Sequence, residues 1–331
     1  SSPRILLCTP ATAYNVKGGI SDSVIVNGVI PRIRRVAERN GLPVLDMHAA
    51  TEGMEENFPD KIHPNPAGAI VLAKEAYRAI TGNDMEFTSQ PFPGVKTRWR
   101  GYDKYDFFYN GRDAIVVVPK EPLPGNPWIW RPAFFGAFPS VDIAMLGKGY
   151  HVVYYDVTFL YGSPRSQRLG DEFYAAMLKY YELSPKVVVE GFSRGGLFAV
   201  NWAARDPRRI ACLYLDAPVC DVTSWPGRCR EGLWKELLDE WKLTEEQMAD
   251  FPGNPVDNLR PLAEAGIPVI GVSGDSDRTV PYEQNLGVLK ARYEALGGKI
   301  DVIIKKGGDH HPHSLEDPTP IVDYILKERL N

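Results

Sequence analysis

Val187-Val188-Val189-Glu190-Gly191-Phe192-Ser193-Arg194-Gly195-Gly196 is a β-branched run that breaks into a glycine-flanked serine and continues as the helical pattern Leu197 to Ala204. The pattern predicts a strand, a sharp turn and a helix. A serine in such a turn takes a strained backbone conformation that only small neighbours permit, and its Oγ then stands exposed at the carboxyl edge of a sheet. The expectation is a nucleophile, against the plainer reading of a tight-turn serine with no chemistry.

Around this stretch, strands and helices alternate. Strands are predicted at 105–109, 114–119, 128–131, 151–157, 187–190, 210–215, 269–272 and 300–304, and helices at 141–146, 172–181, 193–205, 281–296 and 320–327. An antiparallel opening followed by repeated βα units implies a mostly parallel twisted sheet with helices on both faces. Upstream, a strand (Arg4 to Cys8), a helix (Ser23 to Arg39), a strand (Pro43 to Met47) and a helix (Pro66 to Ile80) make half of a doubly wound unit. Between them TSQPFPGVKTRWR, residues 88–100, has no periodicity and two prolines. The division is therefore 1–85, a linker at 86–100, and 101–331.

A serine hydroxyl is a poor nucleophile until an imidazole takes its proton and a carboxylate orients that imidazole. After the strand Pro268 to Val272 comes Ser273-Gly274-Asp275-Ser276-Asp277-Arg278-Thr279-Val280-Pro281, and after the last strand Gly307-Gly308-Asp309-His310-His311-Pro312-His313. The order Ser193, Asp277, His310 is serine, acid, histidine. Asp275 is the nearby alternative acid, Asp216 or Asp221 another source, and His311 and His313 are rival bases. The plain reading of Asp277 is a helix cap or an ion-pair partner of Arg278. His310, His311 and His313 beside Asp309 also have the residue types of a zinc site. The elbow already accounts for a histidine there, so no metal and no cofactor are expected.

Residues from about Arg98 to Asn331 resemble a complete α/β-hydrolase domain of the serine carboxylesterase type, through GFSRGG, SGDSDRTVP and GGDHHPHS. The family's GxxDxxVP pattern puts the acid on Asp277, since Gly274, Asp277, Val280 and Pro281 match. Its histidine loop puts the base on His310. The resemblance implies an oxyanion hole made by two backbone N–H groups. One is that of Arg194, after the nucleophile. The other follows the third strand, where Pro132 has no N–H and Ala133 is the next donor. The Ser-Arg pair also resembles the glucuronoyl esterase elbow, which implies an acidic or carbohydrate-linked ester, with a surface arginine as the plain alternative. A cap-like insertion at about 219–261 carries Trp225, Trp234 and Trp241, for sugar or aryl stacking or for cap packing. Trp130, Phe134, Phe135 and Tyr161 are expected near the mouth, and Trp128 and Trp202 in the core.

Leu6 to Gly82 resembles the carboxyl-terminal part of an SGNH (GDSL-like) hydrolase, through ILLCTP, LPVLDMHAA and Asp60-Lys61-Ile62-His63-Pro64. That implies a partial flavodoxin-like half-domain without a nucleophile. It reads as a fragment of a longer two-hydrolase fusion or a proteolysed product, structural in role, with an exposed sheet face expected to pack on the hydrolase domain or on a second copy in a homodimer.

With 331 residues, 44% apolar, 24% charged and a net charge of -4, the composition gives no reason to expect nucleic acid or membrane as partner. No apolar run approaches the roughly 18 residues of a membrane span. The opening Ser1-Ser2-Pro3-Arg4 reads as an internal start, without methionine or signal peptide. Cys8 and Cys212 read as buried thiols, and Cys220 with Cys229 as a possible bridge. The expected function is hydrolysis of a small-molecule or carbohydrate-linked ester (acetyl, feruloyl or glucuronoyl type) through an acyl-enzyme. The alternatives are a serine peptidase of prolyl-oligopeptidase type and an inactive carbohydrate-binding or scaffold protein. A carbohydrate esterase of bacterial type would be periplasmic or secreted.

Overall fold

A computed structural model describes residues 5–15, 19–82, 94–227 and 230–329, and the chain divides into two compact units, 1–90 and 91–331. In the first unit two short strands, β1 (Leu7–Cys8) and β2 (Val44–Leu45), pair in parallel. Helix α1 (Asp22–Val24) passes through a widened turn at Ile25–Val29 into α2 (Ile30–Asn40). Pro31 has no N–H to close a regular turn, and the helix loosens just ahead of it. Gly41, at φ 61°, ends α2. A short α3 (Met47–Thr51) and a long α4 (Pro66–Thr81), capped by Asn65 Oδ1 on the Gly68 N–H, follow. Cys8 is exposed, contrary to expectation, because this two-stranded ladder does not cover it. Arg4 lies outside the described residues.

The second unit opens with β3 (Val95–Trp99), β4 (Tyr102–Tyr109) and β5 (Arg112–Val118), all antiparallel. Val95 to Trp99 is thus a strand where a linker was expected. Arg100 and Gly101 both have positive φ, the two-residue turn that matches the twist of a hairpin, and they fold the segment back on β4. The rest of the expected linker, up to residue 93, lies outside the described residues.

Six further strands complete the sheet: β6 (Trp128–Arg131), β7 (His151–Tyr155), β8 (Val187–Phe192), β9 (Ile210–Asp216), β10 (Val269–Gly274) and β11 (Ile300–Lys305). The spatial order among described residues is β3-β4-β5-β7-β6-β8-β9-β10-β11, with β6 to β11 mutually parallel wherever they pair. Val187 and Val189 enter the core on one face, and Val188 and Phe192 that on the other. Burial on both faces explains why β8 reads as an unbroken apolar run.

The first face is covered by α6 (Pro164–Tyr181), α7 (Gly195–Arg205), α9 (Arg260–Glu264) and α10 (Leu286–Ala295), through residues such as Phe173, Phe198, Leu262 and Leu286. The second is covered by α5 (Ser140–Gly147) and α11 (Thr319–Arg329), through Val141, Met145, Ile321 and Ile325. Helix α6 starts eight residues before its expected start at Glu172, at a Ser163 cap with Pro164 in the first turn. The insertion folds around α8 (Glu231–Trp241). Trp225, Trp234 and Leu237 pack with Tyr161, Leu197 and Val280 in a third apolar cluster. Trp130 is a core residue against Phe173, Phe198 and Trp202, not a mouth residue. Among the described residues no helix is long and apolar enough to cross a membrane.

Candidate active site

Ser193 has φ 48° at the junction of β8 and α7. This left-handed backbone survives because its neighbours are small. A Cβ on Gly191 would meet Ala199 Cβ and Leu215 Cδ2 at 3.0 Å, and one on Gly196 would meet Pro218 Cβ at 2.6 Å. The turn is tied down by Ser193 N–H donating to Asp216 O (3.0 Å) and by Val219 N–H donating to Ser193 O (2.8 Å).

Ser193 Oγ lies 3.0 Å from His310 Nε2, and His310 Nδ1 lies 2.7 Å from Asp277 Oδ2. All three side chains are buried. They come from the carboxyl ends of β8, β10 and β11, where loops of adjacent parallel strands converge. The acid turn and the histidine loop approach closely: a Cβ on Gly274 would stand 2.1 Å from Gly308 O. Ser276 N–H donates to Gly308 O, and Gly307 N–H to Asp275 Oδ1. Asp275 therefore braces the loop and does not meet the imidazole. Arg278 pairs with Asp309 at 3.8 Å, not with Asp277. Asp277 Oδ1 accepts the Thr279 and Val280 N–H groups at 2.8 Å each. Burial pushes the Asp277 carboxyl up, but the His310 ring and the Val280 amide outweigh it and hold it below its ordinary value.

The two other histidines have separate placements. His311 is exposed and stacks on Phe138, with ring centroids 5.6 Å apart. Burial, with His313 and His310 nearby, pushes its pKa below 6.5. His313 is buried, with Nδ1 2.7 Å from Asp216 Oδ1. The alternative acid Asp216 thus serves a different histidine.

Among the described residues the N–H groups of Arg194 and Ala133 have no backbone acceptor. Gly195 brings them together, since a Cβ there would lie 3.2 Å from Ala133 Cβ. The loop after β6 is held by Arg131, a buried cation: Nε donates to Ala133 O (3.3 Å) and Nη2 to Ala137 O (2.5 Å). Arg131 also pairs with Asp142, and with Glu190 Oε1 at 3.3 Å. The sequence reading missed Arg131, Asp142 and Glu190. A visible signal existed, since Arg131 and Glu190 are charges inside otherwise apolar strands.

A cavity of about 270 Å³ opens over Ser193, walled by Phe134, Phe138, Arg194, Trp225, Arg230 and the histidines. The Arg194 guanidinium lies 4.8 Å from the ring centroids of both Phe159 and Trp225. Burial lowers its pKa, which Tyr161 and Glu236 partly offset. Trp225 faces the cavity, whereas Trp234 and Trp241 are cap residues, with Nε1 on Glu245 (2.7 Å) and on Tyr161 O (3.0 Å). A wider depression of about 540 Å³ near Asn201 and Trp241 has no serine or histidine among its described walls. Cys220 is buried and free, and Cys229 lies outside the described residues.

Residues 172–327 match the sequence model of the prolyl oligopeptidase family. Over 82 residues, 24% of this chain, the sequence is 39% identical to an acetylxylan esterase of Xylanibacter ruminicola, and the match spans 17% of that protein. Among solved structures, the chain is similar to a truncated carbohydrate esterase from gut microbiota, with a TM-score of 0.54, 15% identity, and coverage of 66% of this chain and 91% of that one. An S-formylglutathione hydrolase from Agrobacterium tumefaciens gives 0.51, 16% identity, and 72% and 99%. The dipeptidyl peptidase 4 of Porphyromonas gingivalis gives 0.51, 15% identity, and 70% and 35%. These likenesses establish the α/β-hydrolase fold of the second unit.

Proposed function

We propose that this chain is a serine-dependent carboxylic ester hydrolase acting on carbohydrate-linked acyl groups. The observation that carries the reading is the unbroken path from Ser193 Oγ through both nitrogens of His310 to Asp277, at 3.0 and 2.7 Å. In this mechanism Ser193 attacks the ester carbonyl while His310 takes its proton, and the Arg194 and Ala133 amides hold the oxyanion. His310 returns the proton to the departing alcohol, and water then releases the acyl group by the same steps. Asp277, accepting from Nδ1, keeps Nε2 free to act as the base.

The carbohydrate side of the reading is supported by the segment shared with an acetylxylan esterase and by Trp225 on the cavity wall. An indole face suits a sugar ring. The test is release of acetate from acetylated xylo-oligosaccharides and from p-nitrophenyl acetate. Ser193→Ala should abolish both, and activity retained in that variant would overturn the assignment.

The prolyl oligopeptidase match supports a serine peptidase as the second reading. Against it, the described cavity wall carries Arg194 and Arg230 and no carboxylate, a poor setting for a protonated peptide amino terminus. Faster cleavage of a peptide anilide than of an acyl ester would reverse the preference.

For the first unit the SGNH-like half-domain remains our reading of its sequence. His63 Nδ1 and Asp60 Oδ2 are 2.7 Å apart on exposed side chains. With no serine assigned to them, we propose a structural role.

A further inference from the structure

The histidine loop carries a second arrangement besides the proton path. One ring nitrogen from each of His310, His311 and His313 lies within 4.8 Å of the other two. Two of the rings are fixed in the same way, with Nδ1 2.7 Å from a buried carboxylate: Asp277 for His310 and Asp216 for His313. Each carboxylate accepts a hydrogen bond from Nδ1–H, which leaves Nε2 of the ring as the nitrogen with the free lone pair. A carboxylate behind an imidazole is the arrangement that orients histidine ligands and raises their basicity. The third ring, His311, is exposed, and all three line the cavity over Ser193.

We infer that His310, His311 and His313 form a binding site for a zinc-like divalent cation, and that occupancy shuts off hydrolysis. Three neutral imidazoles suit Zn²⁺ and its neighbours in the first transition row. Zinc to nitrogen bonds of about 2.0–2.1 Å put tetrahedral ligands about 3.3 Å apart, so ring nitrogens as much as 4.8 Å apart must close in by up to about 1.5 Å, and the exposed His311 is the ring with most room to move. The inhibitory consequence rests on the reading of His310 as the base. A cation on Nε2 occupies the lone pair that would accept the Ser193 proton. No covalent bond changes, and loss of the ion restores the base.

The test uses the full chain stripped of metal with EDTA, titrated with Zn²⁺ by calorimetry and with Co²⁺ by visible absorption, both without ester. One saturable ion per chain is expected, with a Co²⁺ spectrum of nitrogen ligation and Zn²⁺ affinity at least tenfold weaker in the surface variant His311→Ala. Hydrolysis of p-nitrophenyl acetate should fall in step with Zn²⁺ occupancy and return with EDTA. Absence of one-to-one binding, or affinity unmoved in His311→Ala, overturns the site. Full occupancy with undiminished hydrolysis overturns the inhibition. Ester inertness of the metal-free protein would count against the esterase reading alone, because calorimetry and the Co²⁺ spectrum still decide the site.

Discussion

Asp216 and His313 pair at 2.7 Å in the protein interior, beside an Asp277–His310 pair of the same length. The second oxygen of Asp216 accepts the Ser314 N–H (2.7 Å) and the Tyr214 hydroxyl (2.9 Å), while its backbone carbonyl accepts the Ser193 N–H. One residue at the end of β9 therefore ties the serine turn to the histidine loop. Replacing Asp216 by Ala leaves three buried donors without an acceptor. Each hydrogen bond to a charged group is worth about 1.5–3 kcal/mol. We expect a loss of at least about 2 kcal/mol in urea unfolding, and slower fluorophosphonate labelling of Ser193 even in the folded fraction. Wild-type stability in this variant would show that Asp216 does not hold the loop.

Asp277 should matter for rate and for acid stability. Because its folded pKa lies below the ordinary 3.8, its contribution is fully present above 3.8 and is lost as pH falls through the folded value. In Asp277→Asn the amide oxygen keeps the Thr279 and Val280 N–H groups and the NH2 faces His310 Nδ1, which favours the wrong tautomer. A loss of about 10⁴-fold in kcat is expected at neutral pH, the scale seen when a triad aspartate becomes asparagine. The stability gap to wild type should narrow in acid unfolding as pH falls from 3.8 through the lower folded value, below which both side chains are uncharged.

Glu190 titrates in the opposite sense. Burial raises its carboxyl well above 4.5, Arg131 opposes that, and Asp142 adds to it. A raised folded value means that stability is fully present below 4.5 and is lost as pH rises through the folded pKa. A proton shared between Glu190 and Asp142, whose Oδ1 has no hydrogen-bond partner among the described residues, would account for the raised value. Glu190→Gln supplies a permanent N–H in its place. Its urea midpoint should stay near wild type in acid and exceed it increasingly as pH rises above 4.5, whereas Glu190→Ala should fall below wild type throughout. A midpoint for the Gln variant that drops with rising pH as steeply as wild type would contradict this proton placement.

The elbow, the acid turn and the histidine loop are legible because each joins a buried β-branched strand to a glycine-bearing turn within a few residues. The choice among His310, His311 and His313 is not local. It is set by the β10 and β11 register and by Gly308 lying against Gly274, which rotates one ring to Ser193 and gives the next buried ring to Asp216. Arg131 and Glu190 are visible as charges in WIWR and VVVE, but their partner Asp142 lies on a helix eleven residues after Arg131 and meets them only on folding. Val95 to Trp99 escapes notice because an edge strand with exposed alternate residues carries little apolar period; Arg100-Gly101 was the available turn signal.

Gly195 offers a test of the oxyanion assignment that leaves Ser193, His310 and Asp277 untouched. Its missing Cβ lets Ala133 approach the start of α7, and an added methyl would sit 3.2 Å from Ala133 Cβ. Gly195→Ala should push the loop carrying the Ala133 amide outward by a few tenths of an ångström. Losing one oxyanion donor costs about 10²–10³ in kcat, so partial displacement should cost about tenfold or more. Helix stability should not fall in proportion, because alanine is the better helix former by about 1 kcal/mol. The double variant Ala133→Gly with Gly195→Ala removes the opposing methyl while keeping the backbone N–H, and it should regain most of the lost rate. If the second change restores nothing, the contact does not set the position of the donor, and Ala133 should be replaced as the second oxyanion candidate.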